Sequence, residues 1–205
     1  MTKLFIFPCN GNAMEALDCI GGDFELIGFV DDDSEKQGKK QFGFTIFSRQ
    51  VIAKYPEAKI LAVPGNPSSY MRRKDLIESL GINAERFVRL IHPSASVSPA
   101  AQIGHNVLIM AGVVITGNAK IGKHVCILPN SVIHHDVEVE DYTLIGSNVT
   151  IAGYTKIGKN CYVGSGSSII NNIEVGDNTL VGLGTNVIHS FPPNSKIVGN
   201  PARQI

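Results

Sequence analysis

At 205 residues the chain can hold one or two domains, and 18 Lys and Arg against 18 Asp and Glu leave no formal net charge. Neither half carries a long basic run, which argues against a nucleic-acid partner. Four cysteines without a CxxC pair, no stretch near the length of a membrane span and an N-terminal apolar run too short for a signal peptide predict a cytoplasmic protein with reduced thiols and no membrane insertion.

The first ninety residues alternate strand and helix patterns. Residues 4–7 read as a buried strand, 12–20 as a short helix and 25–30 as a second strand ending in Asp31, Asp32 and Asp33. A short strand at 44–47, a helix at 48–55, a strand at 59–63 and a helix at 67–80 follow, with Pro67 suited to a first helical turn. Such alternation implies a small parallel sheet, whose ligands sit at the carboxyl ends of its strands. Three loops occupy that edge: residues 8–12 with Asn10, Gly11 and Asn12, residues 31–33, and residues 64–66 with Gly65. Each loop is ambiguous alone, because none carries a GxGxxG pattern; together they predict a nucleotide-type ligand.

From Ile91 to Val187 every sixth residue is isoleucine or valine. A period of six over half the chain predicts a parallel β-helix of hexapeptide repeats. Two residues before each large residue stands a small or β-branched one (Val107, Val125, Ser131, Thr143 among them), which lets three short walls converge without overpacking. Glycine recurs just after the large residue, at Gly104, Gly122, Gly146, Gly158, Gly164, Gly176 and Gly182, and is expected to turn the corners with positive φ. Three hexads make a coil, so related residues recur every eighteen positions, and about five and a half coils at roughly 4.8 Å give a prism on the order of 26 Å tall.

The reactive residues should lie at corners, since the walls are filled by the core. His135, beside Asp136 two residues after Ile133, is the leading candidate for a general base. A carboxylate on one ring nitrogen fixes the tautomer and supports the imidazolium formed when the other nitrogen takes a proton. That carboxylate is Asp136 or one from another chain, and His134 competes for the same role. His105 and His124 are expected to be exposed turn residues, His92 a structural one at the domain junction, and His189 to lie in the last repeat near a subunit edge. No pair of histidines has the HxxxxH spacing of the zinc-binding hexapeptide carbonic anhydrases, so no metal is expected.

Several motifs carry a family resemblance: Phe29-Val30-Asp31-Asp32, Ile91-His92-Pro93-Ser94-Ala95, His135-Asp136, Pro192-Pro193-Asn194-Ser195 and Val198-Gly199-Asn200-Pro201-Ala202. With this layout the chain resembles the nucleotide-aminosugar N-acetyltransferases of the bacillosamine and perosamine type, within the sialic acid O-acetyltransferase family. The resemblance implies a Rossmann-like nucleotide-sugar-binding domain over residues 1–90 and a left-handed β-helix acetyltransferase domain over 91–205. It implies a cytoplasmic homotrimer that transfers acetyl from acetyl-CoA to the 4-amino group of a UDP-, dTDP- or GDP-linked deoxysugar, for bacterial surface glycan biosynthesis. His135 and Asp136 would be catalytic, and Gly153 would offer its amide to the thioester carbonyl. Ser165 and Leu183 would touch the CoA arm; Asn10, Gly11, Asn12, Asp31, Asp32 and Gly65 would line the sugar-nucleotide site. Relatives often carry a polar residue and a histidine where this chain has Leu128 and Leu144, so a different acceptor pocket is expected. Sugar O-acetylation and non-catalytic binding of a sugar nucleotide are the alternatives.

Overall fold

The computed structural model describes residues 1–205. Five strands, β1 (Thr2–Phe7), β2 (Phe24–Val30), β3 (Lys40–Gln41), β4 (Phe44–Phe47) and β5 (Lys59–Ala62), form one sheet in the order β3-β4-β2-β1-β5. All neighbours are parallel except the β3–β4 hairpin. β1 lies between β2 and β5 and buries Leu4, Phe5, Ile6 and Phe7, the continuous apolar run expected of a strand covered on both faces. Short helices α1 (Gly11–Glu15), α2 (Gln50–Lys54) and α3 (Arg73–Glu78) connect the strands.

The expected helix at 67–80 is shortened to α3, preceded by a 3-10 turn at Tyr70–Arg72. Asn66 caps the turn that precedes it, its side-chain oxygen accepting from the amides of Ser68 (2.9 Å) and Ser69 (3.1 Å).

From Leu90 onward, short strands recur at six-residue intervals and stack into three sheets. Their pairing is parallel and offset by eighteen residues, as in Ile115 with Ile133 and Ile133 with Ile151, so the segment is a parallel β-helix. Ile109, Ile127, Ile145 and Val163 are fully buried on its axis. Interior hydroxyls other than that of Thr185 are satisfied: Ser131 Oγ donates to the Gly146 carbonyl (2.7 Å) and Thr143 Oγ1 to that of Gly158 (2.8 Å). The first coil is open, leaving Ile91 37% exposed. At the other end Lys196–Val198 pairs antiparallel with Arg203–Gln204, and Ala202 packs into the core. The GNPA segment thus closes the end of the prism.

The corners differ from expectation. The glycines after the large residues do not have positive φ; the left-handed residues stand two positions later, at Asn106, Asn118, Asn130, Asp136, Asn148, Asn160 and their equivalents. Those glycines answer instead to close approach between coils. A Cβ on Gly146 would lie 2.5 Å from the Ser165 nitrogen, and one on Gly122 2.7 Å from that of Asp141. Asparagine tolerates the left-handed region through its short polar side chain, so it dominates the true corner position.

One sheet and one corner dock the N-terminal unit. Leu90, Leu108, Cys126, Leu144 and Tyr162 point outward from the sheet into a buried cluster with Leu4, Ile6, Phe29 and Leu61. Beside them, Asn106, His124, Tyr142, Asn160 and Asn178 form a corner ladder against the α/β unit. Asn106 exchanges hydrogen bonds with Ala62 (2.7 and 2.8 Å), as a further strand residue would. Arg73, fully buried, donates to the carbonyls of Tyr142 (3.0 Å), His124 (2.6 Å) and Pro64. Burial lowers its pKa to about 10, so it stays charged at neutral pH.

His124 is therefore not an exposed turn residue. It is 4% exposed, stacked on Tyr142 at 4.7 Å and edge-on to Phe87, and Asn106 lies 2.9 Å from its Nδ1. Burial, with the nearby charges of His105, Arg73 and Lys123, lowers its pKa to about 3. His105 is half-buried and stacks on Phe87 at 5.9 Å.

Candidate active site

His135 and Asp136 stand on a different corner, open to solvent. Left-handed backbone at Asp136 (φ 57°) places the two adjacent side chains together on the outer edge, with Asp136 Oδ2 2.9 Å from His135 Nδ1. The neighbouring carboxylate, rather than one from elsewhere, is thus the partner. Asp136 Oδ1 also accepts from Asn118 Nδ2 at 3.3 Å, from the preceding coil. Hydrogen bonding to His135, aided by Asn118, holds the Asp136 carboxyl below its usual range. A carboxylate on Nδ1 selects the Nδ1–H tautomer and leaves the Nε2 lone pair for a substrate proton. His134 is half-buried and shares no hydrogen bond with Asp136.

Gly153 stands eighteen residues after His135, in the same place of the next coil. A Cβ there would lie 2.7 Å from His135 Cε1 and 2.8 Å from Nε2, so only glycine leaves room for the imidazole. At the same hexad position on the other two corners, the amides of Lys123, Ser147 and Lys159 donate to a side chain of the following coil (2.8–3.0 Å). The Gly153 amide donates to no acceptor in the chain. Imidazole and free donor are side by side.

The strand ends of the α/β unit converge as the sequence suggests, but several of their polar groups hold the loops together. Asn10 caps α1 by accepting from the Ala13 amide (2.9 Å), and its Nδ2 donates to the Val63 carbonyl (3.1 Å). Asn12 reaches the carbonyls of Val63 and Gly65 (3.4 Å each). Asp31 is 5% exposed with both oxygens engaged: the Cys9 amide and Lys36 Nζ on Oδ2, and the Asp33 amide on Oδ1, each at 3.0 Å. Asp32 is exposed and pairs with Arg49, at 2.7 Å to Nη2. Gly65 (φ 114°) packs on the aliphatic stem of Arg73. The amides of Gly11 and Asn12 have no acceptor in the chain.

Ser165 and Leu183 stack on another corner, eighteen residues apart. Ser165 Oγ accepts from the Ser147 amide (3.0 Å), and Leu183 is 71% exposed. This corner and that of His135 flank the same sheet face, so one chain does not bring them together. Leu144 is buried in the domain junction and Leu128 packs against the same cluster, which gives both a structural role. No group of three or more His, Cys, Asp or Glu side chains is placed to hold a metal ion. Sequence reading missed Asn118, Tyr154 and Arg73. For the first two a cue exists: both share Asp136's place in the eighteen-residue period. For Arg73 there is none.

Two hexapeptide models match the β-helix: "Bacterial transferase hexapeptide (six repeats)" over residues 118–153 and "Hexapeptide repeat of succinyl-transferase" over 154–187. A UDP-N-acetylbacillosamine N-acetyltransferase of Bacillus subtilis is 46% identical over 27% of this chain and 24% of its own length. A GDP-perosamine N-acetyltransferase of Escherichia coli O157:H7 is 29% identical over 60% of this chain. The match spans about half the length of that relative, 53%. Among solved structures, a variant of perosamine N-acetyltransferase from Caulobacter crescentus, in complex with CoA and GDP-perosamine, superposes with a TM-score of 0.88. It is 22% identical, over 100% of this chain and 97% of that one. The acetyltransferase domain of PglB from Neisseria gonorrhoeae, with acetyl coenzyme A, gives 0.85 at 23% identity, over 99% and 98%. The hexapeptide repeats and parallel sheets fit a hexapeptide-repeat β-helix, and the relatives found are named as N-acetyltransferases of the bacillosamine and perosamine type that the motifs resemble.

Proposed function

We propose that the protein transfers acetyl from acetyl-CoA to the 4-amino group of a UDP-, dTDP- or GDP-linked amino-deoxysugar, for bacterial surface glycan biosynthesis. One observation carries the reading: an exposed imidazole tied at Nδ1 to a carboxylate, with Nε2 free, beside a glycine amide that donates to nothing else. His135 Nε2 takes the proton as the sugar amine attacks the thioester carbonyl. The Gly153 amide meets the developing oxyanion. The C–S bond then breaks, and the CoA thiolate recovers the proton from the imidazolium. Base assistance is typically worth about 10²–10⁴-fold and one oxyanion donor about 10²–10³-fold. Binding both substrates in position adds up to roughly 7–11 kcal/mol. No enzyme nucleophile is needed.

Residues 1–90 serve as a Rossmann-like nucleotide-sugar domain and residues 91–205 as the acetyltransferase domain. The unpartnered amides of Gly11 and Asn12 suit a phosphate, and Asp32 and Gly65 complete that edge. Asn10 and Asp31 act by shaping it. The Caulobacter relative is in complex with CoA and GDP-perosamine, which supports a sugar-nucleotide acceptor.

The assembly is a homotrimer in the cytoplasm, where acetyl-CoA and sugar nucleotides are available. Two prism faces are accounted for: one docks the α/β unit, and another carries ion pairs such as Lys120–Glu138 (2.6 Å) and Lys156–Glu140 (3.0 Å). The third presents small uncharged residues such as Val114, Val132 and Thr150, exposed Ile170 and Ile188, and a buried Thr116 hydroxyl without a partner. Packing between such faces sets the His135 corner of one prism against the Ser165 and Leu183 corner of the next. A panel of UDP-, dTDP- and GDP-linked amino and hydroxy sugars, assayed for CoA release with mass spectrometry of the product, tests the function. An N-acetylated 4-amino sugar is expected; an O-acetylated product, or no thiol release with any acceptor, contradicts it.

A further inference from the structure

Asn118, Asp136, Tyr154 and Asn172 hold the same left-handed place in successive coils. A bulky aromatic adopts that region at a cost that asparagine largely avoids. Within the β-helix His124, Tyr142 and Tyr154 depart from the Asn, Asp or Gly otherwise found there, and the first two are buried in the domain junction. Tyr154 is 61% exposed, so junction packing does not explain it. Its ring stands edge-on to His135 at 5.1 Å, and its amide donates to the His135 carbonyl at 3.2 Å. With Asn118 and Asp136 it lines an open recess of about 390 Å³. Backbone strain retained beside a reactive group is a mark of function.

We propose that Asn118 and Tyr154 are positioning residues for His135, acting from the coils before and after it. Asn118 holds Asp136 Oδ1, which leaves Oδ2 aimed at Nδ1. Tyr154 walls the imidazole from the following coil and so restrains the ring beside the carboxylate. Together they keep the proton on Nδ1 and Nε2 facing outward. The consequence for rate rests on the acetyltransferase reading; the consequence for the tautomer does not.

The test combines nitrogen-15 NMR of the His135 ring with kinetics for wild type, Asn118→Ala, Tyr154→Asn and Tyr154→Phe in the full chain. Wild type should show the Nδ1–H tautomer. Tyr154→Asn installs the corner's ordinary residue, so it should melt at the same temperature or higher. It should nevertheless populate both tautomers, with kcat lower by on the order of tenfold, the upper worth of one edge-on ring pair, and the KM for acetyl-CoA within about twofold. Asn118→Ala should show the same split, while Tyr154→Phe keeps the ring and should stay within about twofold of wild type. Tautomers that change in a protein without acetyl transfer would support the positioning role and overturn the proposed function. Unchanged tautomers in both Asn118→Ala and Tyr154→Asn would overturn the positioning role, whatever the rates.

Discussion

His124 and His135 stand at two corners of one prism and have opposite properties. His124 is sealed between Tyr142, Phe87 and Arg73 and stays neutral to about pH 3. His135 is open to solvent, paired to a carboxylate at 2.9 Å, with one ring nitrogen free. The repeat does not decide between these fates. What covers the corner does: the α/β unit closes one ladder, and the other is left open to solvent. Desolvation favours a neutral ring, whereas a carboxylate on an exposed ring supports the cation that a general base must become.

Three perturbations break this contrast in different ways. The largest effect is expected from Arg73→Met, which strips three buried carbonyls of their donor. It should cost about 3 kcal/mol or more in chemical denaturation, since each orphaned buried group costs roughly 1–3 kcal/mol. It should also loosen the loop at Pro64 and Gly65. Next is Gly153→Ala, whose Cβ would meet the His135 ring at 2.7 Å. The exposed imidazole can move aside, so the melting temperature should hardly change, while turnover falls on the order of 10²-fold through misplacement of the base.

Near neutral pH the smallest effect is a pH slope. The unfolded chain binds a proton on His124 near pH 6.5, as histidine ordinarily does, whereas the folded protein excludes it until about pH 3. Protons therefore favour the unfolded state, and the stability due to His124 is present above about pH 6.5 and lost as pH falls from there towards 3. Denaturation of wild type should weaken more steeply across that window than that of His124→Asn. Equal slopes would show that the burial of His124 has no thermodynamic consequence.

The β-helix was legible because its core obeys a strict period, and the walls fall where Ile and Val recur. The corners were only half legible. Glycine after each large residue suggested positive φ, yet recurrent asparagine two places later held the better cue, being the non-glycine residue most at ease there. His124 was misread because its cover comes from Phe87 and Arg73 in the preceding unit and from Tyr142 a coil away. No local pattern announces such a cover. Asp31 shows the same limit: at the end of a strand it reads as a ligand for hydroxyls, but the Cys9 amide and Lys36 occupy it. His135 and Asp136 were legible because their bond is local and their corner has no cover.

The most direct measurement is CoA thiol release by wild type and His135→Ala with a nucleotide-linked 4-amino sugar, alongside the melting temperature of each. A base in this role contributes about 10²–10⁴-fold. The variant should therefore lose turnover on the order of 10²-fold or more, with its melting temperature and acetyl-CoA binding retained. Near-normal turnover in His135→Ala would contradict the assignment of this corner as the catalytic one.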